Sequence, residues 1–564
     1  MADDDAKSLI AEFMYLWSKQ GNFRILWNNT AAYVMPSWDN FVGDLSEGVN
    51  RNYRLFESTG MTSNERFSAA MEAMLTPRTQ VWHLLRAEDE ELNERPVVKR
   101  WLDRVNRILF AARYHPEANF ASQADECYMS LGAFGNNCLF VDEAIGRCLR
   151  YRAIPLSELC WAVNHQGRVD SLYRKFKFTA KQALQQWGRK LCPQSVLRAW
   201  DAPGSRYQEF EFLHIVKPAH DCLPGAYGPR GMAFESWYIA LQESQTIERG
   251  GYRAFPAGIG RYRVAPRESY GRGPAQFAFP DIRTSNEMMK TALRAGQKAV
   301  DPPILLAEDS VLTNFNQRPG ANNYGMVTAE GKPLAVPFLG QANFQVAEAL
   351  QEKVNSSIRD TFLNTLFQIL VDHPNMTATE ALIRAQEKGE LIAPAMGRQQ
   401  SEFLGPEIHR ELDLLEHAGE IPPPPRELVE SGRGVRIEYT SPLARALRAQ
   451  EGTAIMNTAD DVAKFSQIDP SVKFLVDWHE AARMMADIRG TPAKLIRSEA
   501  EVTQLLEHAA DQGEQGNASA NFPAESQGVL NLAKAAQAAS AAGGGTPGQL
   551  TVPAGPGAGA GAPG

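Results

Sequence analysis

Few residues in this sequence are spaced for chemistry. His409, Asp413 and His417 stand four apart, so on a helix they share one stripe and offer two imidazoles and a carboxylate to a metal ion. A metal-dependent hydrolase is the activity that such a triple would support. The surrounding run, EIHRELDLLEHAGE, alternates charge in the manner of a solvated helix face, and that plainer reading competes. Glu88, Asp89, Glu90 and Glu91 are contiguous. Consecutive side chains fan around a helix or alternate on a strand, so these do not converge as an acid–base pair. The sequence has no GxxxxGK[ST] phosphate loop, no GxGxxG after a strand, no HExxH and no GxSxG elbow. No catalytic order is spelled, and neither a cofactor nor a resident metal is expected.

Cations are more informative. Lys290, Arg294 and Lys298 stand four apart and share a helix face, while Lys353 and Arg359 lie on a second helix. On one chain such rows are the polar face of a soluble helix. Repeated around a ring they become stacked belts of positive charge, which hold phosphates weakly and without base specificity.

The elements that must carry these rows form the centre of the chain. Pro280 and Asp281 mark a helix start, and Asp301-Pro302-Pro303 stops it after roughly 20 residues, about 30 Å. A returning helix carries Val346, Leu350, Val354, Ile358, Phe362 and Leu366, each four after the last. Each step rotates the stripe by about 40°, which suits a tilted helix touching different neighbours along its length. The pair reads as two struts holding a compact Gly/Pro/Asn-rich element at their far end.

The rest frames the struts. At 564 residues, 44% hydrophobic and 22% charged, the chain is globular and long enough for several cores. A net charge of −8 argues against a protein that wraps nucleic acid on a basic surface, though not against one that lets it slide past. The acidic opening MADDDAKSL resembles neither a signal nor a transit peptide, and no run approaches the roughly 20 apolar residues of a membrane span. Cys127, Cys138, Cys148, Cys160, Cys192 and Cys222 form no CxxC pair and read as reduced, half-buried thiols. Residues 1–115 read as helical, including 9–17, 97–114 and a helix over 63–78 capped at Ser63. From 120 to 275 short apolar bursts favour strands, clearest at 209–218 and 234–242, with a hairpin turn at Asn164–Gly167 and a helix over 179–191. Later come a long helix from Thr377, a second helix, a polyproline spacer at 421–426, a strand at 435–440, and a helical module over 452–510 with Trp478, Met484 and Met485 as core candidates. Past Gly513 the chain turns low-complexity and reads as disordered. The fold class is α+β, mainly helical.

Several phrases carry a more specific signal: YVMP (33–36), LFESTG (55–60), LTPR (75–78), FGNNCLFV (134–141), YRAIPLSE (151–158) and GRVDSLYRKFKFTAKQA (167–183). They continue with GRGPAQFAFPDIRTSNEMMKTALRAGQKAVDPPIL (271–305), RPGANNYG (318–325), NMTATEALIRAQEK (375–388) and IEYTSPLARA (437–446). In this order they resemble the head-to-tail connector, or portal, proteins of short-tailed bacteriophages. The resemblance implies a dodecameric ring at one capsid vertex, in the virion and in the host cytoplasm during assembly, with a channel for double-stranded DNA. It implies a wing over 1–275, a stem over 276–300 and 344–367, and a clip over 301–343 with Arg318, Asn323 and Tyr324 as docking candidates. A tunnel loop over 368–374 follows, with Val371, Asp372, His373, Pro374 and Asn375 as candidates. A long wing helix and return strand (375–450), a helical crown (451–512) and a tail (513–564) complete the layout. The implied partners are the terminase large subunit, major capsid protein, scaffold and a tail adaptor, with no membrane. After about residue 450 no family phrase recurs. Another virion ring, such as a tail adaptor or gatekeeper, is the nearest alternative, although adaptors are usually shorter and lack a strut pair.

Overall fold

The computed structural model describes residues 2–38, 40–43, 48–49, 51–144, 147–223, 231–306, 318, 321–322, 327–328, 330–337, 344–364, 396–432, 434–440, 442–465, 469–488 and 502. The chain divides into Met1–Leu495 and Ile496–Gly564, and every element named below lies in the first unit.

The amphipathic opening forms α1 (Ala2–Lys19), followed by α2 (Gly21–Val34), which ends at the Met35-Pro36 break. The next helix, α3, spans Thr59–Leu75, starting four residues before the expected cap. Ser63 is buried inside it, and the entry is held instead by Glu57, whose Oε1 accepts from Thr59 Oγ1 at 2.7 Å. A strand, β1 (His83–Ala87), interrupts the stretch expected to be helical. Pro96 then opens α4 (Pro96–Arg113), which buries Val98, Leu102, Val105 and Leu109. A helix not foreseen in the strand-rich region, α5 (Phe120–Phe134), ends on Gly135 in the left-handed conformation (φ 73°).

Strands β2 (Asn136–Ala144), β3 (Arg147–Ala153), β4 (Leu159–Val163) and β5 (Val169–Thr179) follow. The β4–β5 turn is the expected hairpin: Asn164 Oδ1 accepts from the backbone N–H of Gln166 and Arg168 at 2.9 and 3.0 Å. A Thr179/Gln182 capping box opens α6 (Ala180–Leu191), and α7 (Gln194–Asp201) folds back beside it. Then come β6 (Glu209–Pro218), β7 (Phe234–Ala240), β8 (Gln245–Tyr252) and β9 (Ala257–Arg261). They build an antiparallel five-stranded sheet, β4-β5-β6-β7-β8, and a three-stranded one, β3-β2-β9.

Both faces of the larger sheet are covered, which is why its strands read as nearly continuous apolar runs. Tyr173, Leu213, Ile215, Trp237 and Ile239 point to α1 and its Ala6, Leu9 and Phe13. One residue out of step, Phe176, Phe210, Phe212 and Ala240 point to α6 and α7 and their Ala183, Trp187 and Val196. Cys127, Cys138, Cys160 and Cys192 are free but fully buried, more deeply than expected, because a neutral thiol packs as a small hydrophobe. Cys222 is half-buried.

One buried polar group in this sheet is pH-sensitive. His214 lies between Phe140 and Tyr238, stacked on the latter at 4.1 Å, with Nε2 3.0 Å from Ser236 Oγ. Burial, and secondarily the Arg174 charge, lowers its pKa to about 3. The unfolded chain therefore takes up a proton near pH 6.5 that the folded chain refuses. The contribution of His214 to stability is thus fully present above about 6.5 and is lost as the pH falls towards 3. His214→Gln, compared with the parent by urea unfolding from pH 7 to pH 4, is expected to show a flatter acid limb. Parallel limbs would refute this.

The strut pair forms as read. α8 (Phe279–Val300) begins with Pro280 in its first turn and ends before Asp301. Within the tip, β10 (Ile304–Leu306) pairs antiparallel with β11 (Ala335–Pro337). The return helix, α9 (Phe344–Thr361), is interrupted at Leu363, which turns into the left-handed region (φ 61°); residues 365–367 of the expected helix lie outside the described residues.

Met396–Arg398 and a π turn, Gln399–Leu404, lead into α10 (Gly405–His417). Most of the helix expected from Thr377 lies outside the described residues. The proline run lies along α4, with Trp101 Nε1 donating to the Pro422 carbonyl at 2.9 Å. Next, β12 (Val435–Tyr439) pairs antiparallel with β1, which explains why five residues at 83–87 are extended. The chain continues as α11 (Pro442–Phe465) and α12 (Trp478–Ile488). Trp478 and Met484 are 39% and 48% exposed, so they are not core; the helix that carries them packs against α11.

Candidate functional site: the helical hairpin

The hairpin is rooted by polar contacts that sequence spacing alone does not reveal. Ser285 Oγ donates to Asn355 Oδ1 at 2.6 Å, and Ser357 Oγ to Asp281 Oδ2 at 2.9 Å, tying the start of α8 to the end of α9. Asn286 Oδ1 accepts from Phe56 N at 2.8 Å and its Nδ2 donates to Arg54 O at 3.0 Å. Gln351 Nε2 donates to Glu57 Oε2 at 2.9 Å. Phe362 seats edge-on against Phe67, with centroids 6.4 Å apart. The four-residue stripe of α9 therefore splits in two. Ile358 and Phe362 are buried at the root, while Val346 and Leu350 are 62% and 52% exposed towards the tip.

The cation rows sit on this frame unequally. Lys290 Nζ lies 3.3 Å from Glu287 Oε1 and over the Phe56 ring, so it is engaged. Arg294 and Lys298 are exposed along the distal half of α8. Lys353 is exposed on α9, whereas Arg359 Nη1 is held 2.7 Å from Glu352 Oε1. Helix α8 carries Arg283, Lys290, Arg294 and Lys298 against Asp281 and Glu287; α9 carries Lys353 and Arg359 against Glu348, Glu352 and Asp360. The basic character of the hairpin is thus a property of α8. Arg318 is described and exposed, and its carbonyl accepts from Ala321 N at 3.0 Å. Asn323, Tyr324, Val371, Asp372, His373, Pro374 and Asn375 lie outside the described residues.

The metal reading fails on geometry. Asp413 Oδ2 is 2.6 Å from Arg410 Nη1, and His409 and His417 are exposed, so the triple is a solvated helix face. Among the described residues no group of three His, Cys, Asp or Glu side chains is placed to hold a metal ion. None of the described helices is long and apolar enough to cross a membrane.

The charged residues that matter inside the fold lie on the opposite face of α10. Glu411 is 0% exposed and takes both Arg113 Nε, at 3.0 Å, and Arg113 Nη2, while Tyr151 donates to it at 2.7 Å. Arg113 Nη1 meets His83 Nε2 at 2.7 Å, and its guanidinium lies 4.5 Å from the Trp82 ring centroid. Burial alone would lower the Arg113 pKa; the Glu411 charge overrides it and raises it. One turn earlier, burial and then the Glu411 charge push the Glu407 carboxyl well up. The available signal was the Glu407/Glu411 pair, four apart on the apolar stripe of Ile408, Leu414 and Leu415.

Comparison with known proteins identifies the family. The chain is 27% identical over 516 residues to a "Probable portal protein" of Bordetella phage BPP-1, covering 90% of this chain and 92% of that protein. It is 22% identical over 540 residues to a "Portal protein" of Salmonella phage epsilon15, covering 95% and 96%. A chain from the virion of a native gene transfer agent particle aligns with 74% of this chain and 91% of its own, at 11% identity and a TM-score of 0.34. The model of the family described as "Bacteriophage head to tail connecting protein" matches residues 6–496. A match of that extent has one meaning: the chain belongs to the bacteriophage head to tail connecting protein family.

Proposed function

We propose that the chain is a portal, a ring subunit set at one vertex of a phage capsid, through which double-stranded DNA enters on packaging and leaves on ejection. The carrying observation is full-length correspondence: both relatives bearing the portal name align over at least 90% of the chain. The ring has twelve subunits. Helices α8 and α9 form its stem, 301–343 its clip, 368–374 the loop that narrows the channel, and 451–512 a crown inside the head. The wing (1–275 and 375–450) meets the major capsid protein and scaffold. The clip, with Arg318, Asn323 and Tyr324, takes the terminase large subunit first and a tail adaptor later. No chemical step is assigned to the chain itself. Arg294 and Lys298 on α8, with Lys353 on α9, steady the phosphate backbone without reading bases.

Two measurements test this. Twelve chains of 62.3 kDa make about 748 kDa, and end views in the electron microscope must show a ring whose hole admits a duplex of about 20 Å. A monomer or dimer that persists with scaffold protein added overturns the ring. Separately, Lys290→Ala/Arg294→Ala/Lys298→Ala is expected to assemble at full mass while heads retain several-fold less DNA. Normal genome content in such heads would sink the stem belts, and the double Arg294→Ala/Lys298→Ala should account for most of the loss because Lys290 is already paired with Glu287.

A further inference from the structure

Outside the hairpin, one exposed cluster of positive charge lies on α6, α7 and the turn that follows them. Residues 180–208 contain Lys181, Arg189, Lys190, Arg198 and Arg206 against the single acid Asp201, in a chain of net charge −8. All five cations are exposed. Contacts tie Lys181, Arg189 and Arg206 into this segment, and Lys190 and Arg198 are exposed on the same two helices. Lys181 N donates to Arg206 O at 3.2 Å, and Lys181 Nζ lies 6.0 Å from the Tyr207 ring centroid. Arg206 Nε donates to Trp200 O at 3.1 Å with its guanidinium 4.8 Å from the Trp200 ring, and Arg189 Nη2 pairs with Asp201 Oδ1 at 2.6 Å. Ala202 N, one turn on, donates to Arg198 O. Carboxylates mark the limits: Glu209 pairs across from Thr179, and Glu243 accepts from Ser195 N at 3.0 Å.

We propose that the α6–α7 lid is a second contact for the phosphate backbone of double-stranded DNA, separate from the channel hairpin. The lid has its own small core on the five-stranded sheet, distinct from the core that includes Ile282, Ile358 and Phe362 of the hairpin. Its chemistry favours phosphate over a protein partner. A protein interface needs buried apolar anchors at its centre, and here the exposed apolar side chain is Leu191 at the end of α6, while the middle is guanidinium, ammonium and the 73%-exposed Tyr207. Exposed cations are what sequence-independent backbone contact requires.

The test uses the full chain at its native mass. Duplex binding is followed by fluorescence anisotropy against salt, using a fragment of about 30 base pairs, for the parent and for Lys181→Gln/Lys190→Gln/Arg198→Gln/Arg206→Gln. Each phosphate contact contributes about −0.9 to the salt slope, so the variant is expected to bind more weakly with a slope shallower by roughly 3 to 4. Gln185→Lys/Gln186→Lys, on the same exposed helix, should steepen it. DNA should also protect Lys181 and Lys190 from acetylation, read by mass spectrometry. Unchanged slopes in both variants, or unprotected lysines, overturn the proposal. So does poly-glutamate protecting those lysines as well as duplex at equal charge, which would assign the lid to an acidic protein. Ring mass and the α8 cation variant are read independently, so a failed portal reading is distinguishable from a failed lid.

Discussion

Arg113→Met is expected to remove most of the stability of the folded chain. The substitution leaves the Glu411 carboxylate, 0% exposed, with Tyr151 as its remaining donor and Glu407 one turn away. Breaking a buried pair in this way costs about 3–5 kcal/mol, against roughly 5–15 kcal/mol for a whole domain. The site cannot relax by hydrating, because Trp82, Phe110 and Phe120 enclose the guanidinium at 4.5, 5.1 and 5.6 Å. Urea unfolding at equal protein concentration should show the midpoint falling sharply, with much of the variant insoluble. Glu411→Met should be as severe, since it strands the cation. Arg113→Met/Glu411→Met should recover much of the loss, because no uncompensated charge remains. Single variants within about 0.5 kcal/mol of the parent would show that the pair is not what joins α4 to α10.

That network also shows what the sequence could and could not convey. Helix α10 carries charge on two faces, each at four-residue spacing: His409/Asp413/His417 and Glu407/Glu411. Which face turns inward depends on Arg113, 298 residues away, and no local rule supplies that distance. The same holds for β1, whose five residues HLLRA become a strand by pairing with Val435–Tyr439. Helix α5 escaped notice for another reason. Its second half, from Cys127 to Phe134, is buried on nearly every side, so it has no polar stripe to show a helical period. Gly132 within it lets α3 approach so closely that a Cβ would sit 2.1 Å from Asn64 Oδ1. Where structure is local and one-sided, the reading was good: α8 between Pro280 and Asp301, the Asn164 turn, the Thr179 cap, and strands 209–218 and 234–240 all have their cause within a few residues. The interruption of α9 at Leu363 had none, since leucine is no helix breaker in its own right.

The distal hairpin makes the second large prediction. Leu293 (50% exposed) and Val300 (87%) on α8, with Val346 and Leu350 on α9, are exposed apolar residues beyond the buried root of the hairpin. Leu350 itself helps line a groove with Met288, Ala292, Ala295 and Ala347, where the three alanines leave room for a neighbouring helix. In the proposed ring the hairpins stand side by side, and this surface is what they share. Val346→Asp/Leu350→Asp is therefore expected to leave the secondary structure intact by circular dichroism while abolishing the ring. Burying two such side chains is worth about 3–6 kcal/mol, and desolvating the introduced carboxylates adds a further cost at every subunit boundary. A change of about 5.5 kcal/mol is already four orders of magnitude in an association constant. At micromolar protein, native mass should collapse from the ring to the 62.3 kDa chain. Lys353→Ala, equally exposed but polar, is the matched control and should keep full mass. If the double aspartate variant still forms complete rings, the apolar stripe does not lie between subunits, and the cohesion of the assembly must come from the wing rather than the stem.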